Sequence, residues 1–472
     1  QVDNTDPVKL NTLLLTNPVA ASYTDCGWAP QDYWIPMGWY CNVIAVDPLD
    51  PNIVWAAGVD LFRSDNGGRD WGLASYWWAA GQDPSFAHAD QHAIVFHPDF
   101  DGVGNTRMFT AGDGGIFFTD NPYGPVATDG SGICDPGDSQ VFFRDLNNNM
   151  GITQFYHGAP FPGGDRYLGG TQDNGTILGT DVLGPERWRH ILGGDGGYSA
   201  IDPSSPNIIY AESQRFGFSR STDGGQTFFD ATRGVNDGGF LFITPFTMDL
   251  NEPRRLWTGG YRLWRTDDGA SYWYPASSYP IGPGQVSSIA VAPGNSQRVL
   301  VGTSEGDVYR SDEALFADGA TDWESTRPRA GFVTSLAFEP GSQDVVYATY
   351  AGFGGAHVWR SEDFGRTWES LDGSGPRSIP DIPVHSVVVD PENTDRIYLG
   401  TDLGVFTSKN RGLTWAVENT GFANVVTEWL TFGDGPDGRP RLFAFTHGRG
   451  AWRVDISPTP DPPRQTTGRV AP

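Results

Sequence analysis

The stretch RSDNGGRDW, Arg63 to Trp71, has the Asp, Asn and paired Gly of a catalytic loop, but its meaning comes from its recurrence. Written as Ser/Thr-x-Asp/Asn-x-Gly-x-Thr-aromatic, it returns as STDGGQTF (221–228), TDDGASYW (266–273), SEDFGRTW (361–368) and SKNRGLTW (408–415). A shortened copy, TDN, stands at 119–121, and an expanded one, SDEALFADGATDW, at 311–323. A repeat has to be recognised before any of its residues is given a chemical role.

A second signature keeps the same phase: an Asp-Pro-type turn followed by a β-branched and aromatic run. It occurs nine times, from DPLDPNIVW at 47 to GDGPDGRPRLF at 433, at intervals of 43 to 62 residues. That spacing suits a four-stranded propeller blade. In the first unit, alternation places strands at 41–47, 52–58, 60–64 and 70–75. The Asp-Pro turn then joins the first strand to the second, and the opening motif joins the third to the fourth. In such a hairpin Gly supplies positive φ, the Asp or Asn side chain accepts backbone N–H groups, and the aromatic covers the turn.

The expected fold is therefore all-β: one large β-propeller of four-stranded antiparallel blades spanning residues 1–456, with nine blades the leading count and eight to ten the range. The ninth unit stops after three strands, so KLNTLLLT (9–16) is expected to supply the fourth and close the ring, leaving no sheet edge open. Residues 1–40 hold this closing strand and an aromatic loop. Residues 457–472 are Pro-rich and form a tail or linker, which a neighbouring subunit is expected to hold.

Composition excludes several classes of function. The chain has 472 residues, 38% hydrophobic, with 62 Gly and 35 Pro, enough for a large core cut by many turns. Its formal charge of -26 repels polyphosphates, so neither nucleic acid nor an anionic membrane is an expected partner. No apolar run of about 18 residues offers a membrane span. The first residue is Gln1 rather than Met, and a secreted, extracellular or cell-surface protein is expected. Cys26 and Cys41 bracket CGWAPQDYWIPMGWYC, a span a disulfide could close, with Cys134 left over; three reduced thiols are the alternative.

The repeated motif resembles the Asp-box (BNR) repeat of sialidases, xyloglucan-active glycoside hydrolases and sortilin-type propellers. From Cys41 to Ile456 the chain is similar to bacterial exported propellers of such repeats, with HADQHAIVFHP, LGGTQDNGT, GGDGGYSAIDP and THGRGAWR the most telling phrases. The resemblance implies that Asn66, Asp223, Asp268, Asp363 and Asn410 are structural turn residues at the rim, away from any ligand. It does not fix an activity, because one fold hosts many functions. The Arg-Ile-Pro segment of sialidases is absent. The xyloglucan-type hydrolases place two Asp across a cleft between two propellers, which a single ring would not offer.

Propeller geometry puts the turns between second and third strands, and the entries to each first strand, on one face. That face gathers the candidate ligand-binding residues His88, Asp90, His92, Gln172, Asp173, Asp195, His357, His447 and Arg449 around one channel mouth. His88, Asp90 and His92 alternate along an extended run and would share a side, but a metal usually needs three or four ligands with a supporting shell, so no metal or other cofactor is expected. Trp28, Trp34, Trp39, Tyr40, Tyr76, Trp77 and Trp78 offer aromatic loops for sugar stacking or a protein interface. The leading reading is a secreted, non-catalytic binding or assembly module for a protein partner, a second copy or a glycan. The alternative is a glycoside hydrolase using two of Asp60, Asp113, Asp173, Asp195 and Asp402, which would have to lie about 5 to 9.5 Å apart.

Overall fold

A computed structural model describes residues 40–79, 83–128, 135–421, 424–435 and 438–456. The expected closing strand, Cys26, Cys134, most of the aromatic loop and the Pro-rich tail lie outside these residues. The described residues are all-β, with short 3-10 turns and no α-helix. Nine antiparallel sheets follow one another along the chain, eight of four strands and the last of three. The first comprises Val43–Val46, Val54–Ala57, Leu61–Ser64 and Gly72–Leu73, inside the four spans read from sequence.

The chain divides into two compact units, residues 1–150 with two sheets and residues 151–472 with seven. In the second unit the first strand of each sheet packs on the first strand of the next, so these strands form an inner wall. The wall closes on itself: Thr427–Asp434 of the last sheet lies against Phe155–Pro160 of the third. Phe155 and Phe445 meet at this seam with ring centroids 5.5 Å apart, and Arg453 donates to Asp181 at 2.7 Å. Gly158 makes the contact possible, since a Cβ there would stand 2.1 Å from the Phe445 ring. The nine sheets expected of a propeller are present, and within the second unit its seven sheets close on themselves. Equivalent repeats announce their number but not which two meet at the seam.

The recurring turns explain how each sheet is locked. At 221–228 the Ser221 hydroxyl donates to Asp223 Oδ1 at 2.8 Å and accepts the Gly225 amide at 2.9 Å. Asp223 Oδ1 also accepts the amides of Gln226 and Thr227, and its Oδ2 takes the Thr227 hydroxyl at 2.6 Å. Matching bonds form around Asp268, Asp363, Asn66 and Asn410. Gly224 and Gly225 are left-handed, with φ 75° and 81°. Ala270, Phe364 and Arg411 hold similar values without being glycine, at 63°, 57° and 58°. Side-chain bonds to the turn amides hold that strained backbone in place.

The aromatic that ends the motif reaches the preceding sheet. Trp273 Nε1 donates to Ala231 O at 2.7 Å, Trp323 Nε1 to Ala276 O at 2.9 Å, and Trp415 Nε1 to Leu371 O at 2.7 Å. All three indoles are buried, so each hydrogen bond is sheltered from water.

Although partial desolvation opposes it, the Thr367 amide and hydroxyl, the Ser361 hydroxyl and the Arg366 amide hold the Asp363 carboxyl down from 3.8 to about 2. A depressed carboxylate stabilises the fold above its unfolded pKa and loses that contribution as pH falls through the folded value. Thermal unfolding of the Asp363→Ala variant is expected to show a loss of about 1 kcal/mol at neutral pH, the size of a lost capping side chain. The gap to the wild type should narrow between pH 3.8 and about 2; a gap that stays constant with pH would contradict this account.

Candidate functional site

In the first unit the polar patch grows from two neighbouring turns. Asp113 stands between the strands Met108–Gly112 and Gly115–Thr119. His92 Nε2 lies 2.8 Å from Asp113 Oδ1, and the Tyr40 hydroxyl donates to both carboxylate oxygens, at 3.1 and 3.0 Å. The Tyr40 ring meets the His92 ring edge-on at 4.8 Å. Asp90 brings an oxygen within 4.8 Å of one on Asp113, and its other contact is Cys41 Sγ at 3.6 Å. Burial first, and then the Asp113 charge, pushes the Asp90 carboxyl up.

Asp90 has φ 60°, so the run through His88 and His92 is not extended there. The expected row of three side chains on one side is therefore corrected. His92 turns to Asp113, while His88 packs where Gly114 has no side chain, a Cβ at Gly114 falling 2.0 Å from the His88 ring. Asp60 is also placed differently from expectation. It is 1% exposed, and its Oδ1 accepts the Ser75 hydroxyl and the Trp77 amide, both at 2.9 Å. Such a carboxylate holds a loop and is not open to a substrate.

In the second unit the turns named from sequence come together with residues that were not. Asp195 Oδ1 accepts the Asp173 amide at 2.7 Å, and the Asp195 amide donates to Gln214 Oε1 at 2.9 Å. Gln172 Oε1 accepts the Tyr156 hydroxyl at 2.9 Å. The Tyr156 ring meets that of His447 at 5.8 Å, and Glu428 Oε1 stands 3.6 Å from His447 Nδ1. The other Glu428 oxygen lies 3.6 Å from His385 Nδ1, whose Nε2 is 2.7 Å from Asp402. Asp402, His385, Glu428 and His447 thus form an alternating row of acid and imidazole. Burial, then the charges of Asp195, Asp173 and Glu428, pushes the Tyr156 phenol up to about 12, so it donates at neutral pH. Arg449 is exposed beside this row, with its Nη1 on Gly448 O at 2.8 Å.

His357 is not at the mouth. It is 1% exposed, its Nδ1 lies 2.9 Å from Asp372 and its Nε2 3.2 Å from Asp381, so it ties loops together within its sheet. Tyr156, His385 and Glu428 escaped the sequence reading, although a signal existed. Each is the second residue of its sheet's first strand, in Phe155–Pro160, Val384–Val389 and Thr427–Asp434. His92 holds the same place in Gln91–Phe96.

The third residues of three neighbouring first strands fill the inner wall below. The His157 ring lies between Tyr198 and Trp429, 4.3 Å from each. The Ser199 amide donates to His157 Nδ1 at 3.3 Å, which requires that nitrogen to be unprotonated. Beneath Gly197, Glu212 is wholly buried and its carboxyl pushed well up by burial, with Oε1 on the Tyr198 amide at 3.1 Å.

Burial holds the His157 pKa down from 6.5 to about 3. A lowered histidine pKa stabilises the fold above the unfolded value, and that contribution is lost as pH falls through the window between the two. Denaturant titrations of the wild type between pH 6.5 and 3 are expected to carry a slope of at most about 1.4 kcal/mol per pH unit from this group. His157→Phe should remove that part of the slope; an unchanged slope would show that the ring titrates normally.

No family model matches the chain. A probable oligoxyloglucan-reducing end-specific xyloglucanase of Neosartorya fischeri is 24% identical over 303 residues, covering 50% of this chain and 35% of that protein. The chain therefore spans about a third of the length of this curated relative. Among solved structures, a GH74 enzyme of Niastella koreensis matches over 87% of this chain and 74% of its own at 16% identity, with a TM-score of 0.26. YCF48 from Cyanidioschyzon merolae matches over 78% of this chain and 95% of its own at 12% identity, with a TM-score of 0.40. Among the described residues no helix is long and apolar enough to cross a membrane. The findings give an all-β propeller with distant sequence similarity to a carbohydrate-active enzyme.

Proposed function

We propose that this chain is an extracellular glycan-binding propeller module that holds its ligand at the mouth of the seven-sheet ring without cleaving it. What supports the reading is the state of the acids there: Asp195 is engaged by a backbone amide, Asp402 by His385, and Glu428 stands between two imidazoles. Around them Gln172, Tyr156, His447 and Arg449 offer donors and acceptors suited to sugar hydroxyls. A hydrolase needs a protonated carboxyl beside an ionised one. In this unit burial pushes the Glu212 carboxyl well up, but the side chain is wholly buried. The similarity to a probable xyloglucanase makes a β-glucan-type oligosaccharide the first ligand to try. Association with a protein partner or a second copy, through the tail or the aromatic loops, is compatible with the same role.

One observation favours the second reading, glycoside hydrolysis. In the first unit Asp90, raised by burial, lies close to Asp113, which is a desolvated acid beside a hydrogen-bonded carboxylate.

Calorimetric titration with xyloglucan oligosaccharides, run beside a reducing-end assay, separates the two. Binding without new reducing ends, weakened by His447→Ala and Gln172→Ala, is the expected result. Release of sugar that falls on the order of 100-fold or more in Asp113→Asn would establish the hydrolase instead.

A further inference from the structure

On the rim of the fourth and fifth sheets, a groove of about 330 Å³ is lined by Arg220, Thr222, Phe229, Asp230, Arg233 and Ser271, among others. Its charge is unusual for this molecule. The chain carries 57 acidic residues against 31 Lys and Arg, and most of its arginines with known partners sit in ion pairs with Asp or Glu, as Arg255, Arg298 and Arg360 do. Arg220 and Arg233 make no ion pair among the described residues. Arg220 donates through Nη1 to Gly269 O at 2.9 Å, and its buried Nε has no partner. Arg233 is exposed, with its guanidinium 5.8 Å from the Tyr272 ring centre. The one acid of the groove, Asp230, has both oxygens 3.0 Å from the Thr232 hydroxyl.

The walls are fixed. Trp273 ties the loop to the next sheet twice, its indole on Ala231 O at 2.7 Å and its amide on Arg233 O at 2.9 Å. Gly234, at φ 101°, lets the loop come this close, since a Cβ there would stand 2.4 Å from Trp273 O. Phe229 leaves 65% of its surface in solvent on the edge strand Phe229–Asp230. A flat exposed ring lines the same groove as two guanidinium groups without an ion pair among the described residues and two hydroxyls, which joins two kinds of recognition in one place.

We propose that this groove is a subsite for an acidic sugar, a uronate residue of a polysaccharide. The carboxylate would lie on Arg220 and Arg233, the carbon face of the pyranose on Phe229, and ring hydroxyls against Thr222 and Ser271. The proposal rests on the carbohydrate reading above but on residues other than those of the channel mouth.

The test is titration of the full chain with a short oligogalacturonate, with neutral xyloglucan oligosaccharides and with poly-glutamate, using the wild type, Arg233→Gln and Phe229→Ala. Both side chains are exposed, and melting temperatures check that the variants fold. The wild type is expected to bind the oligogalacturonate, more weakly at high salt. Each variant should weaken that binding about tenfold while leaving any neutral-sugar binding unchanged. Absence of oligogalacturonate binding, binding indifferent to both variants, or poly-glutamate binding of equal strength would each overturn the proposal. Neutral sugars bound without uronates would sink this subsite and leave the channel mouth intact. Uronates bound through Arg233 without neutral sugars would do the reverse.

Discussion

The fold depends on a small set of buried N–H to O=C contacts between an indole on one sheet and the outer backbone of the sheet before it. Trp273, Trp323 and Trp415 each reach back in this way. Before Trp273 and Trp415 the turn is held in a left-handed conformation by Thr266 with Asp268 and by Ser408 with Asn410. Polar turn chemistry therefore sets the position of an apolar ring, and the ring sets the distance between sheets. The apparent catalytic loop at Arg63 to Trp71 has the same arrangement: Asn66 Oδ1 accepts the amides of Arg69 and Asp70, leaving little for a substrate.

With the rim held by turns, the opposite face is left to variable residues. Three first strands of the seven-sheet unit place their second residues, Tyr156, His385 and Glu428, in the polar row, and three place their third residues, His157, Tyr198 and Trp429, against one another. The upper level is polar, with acids and imidazoles in alternation, and the lower is aromatic, with His157 between Tyr198 and Trp429.

The strands, their antiparallel order and the turn residues were legible in the sequence because each depends on local rules: alternation, positive φ at Gly and short-range side-chain bonds. Asp223 and Asp363 could be read from a window of eight residues. The seam within the second unit could not, since it depends on whether Gly158 admits Phe445, a pair almost three hundred residues apart. At the site, turn residues such as Asp195 and Gln172 were visible as irregularities. Tyr156, His385 and Glu428 were hidden because a polar residue near the start of a strand looks like ordinary alternation until the register is known. Asp90 misled because the extended run it appeared to belong to bends at that residue.

The described residues give the last sheet three strands, and its outer one, Ala451–Asp455, is largely exposed. An edge strand in general is a template for extended segments. Arg453 and Asp455, held by Asp181 and Arg441, set fixed charges along this border. Their consequence is colloidal: a stray chain seeking to extend the sheet must first strip water from these ions, which discourages aggregation.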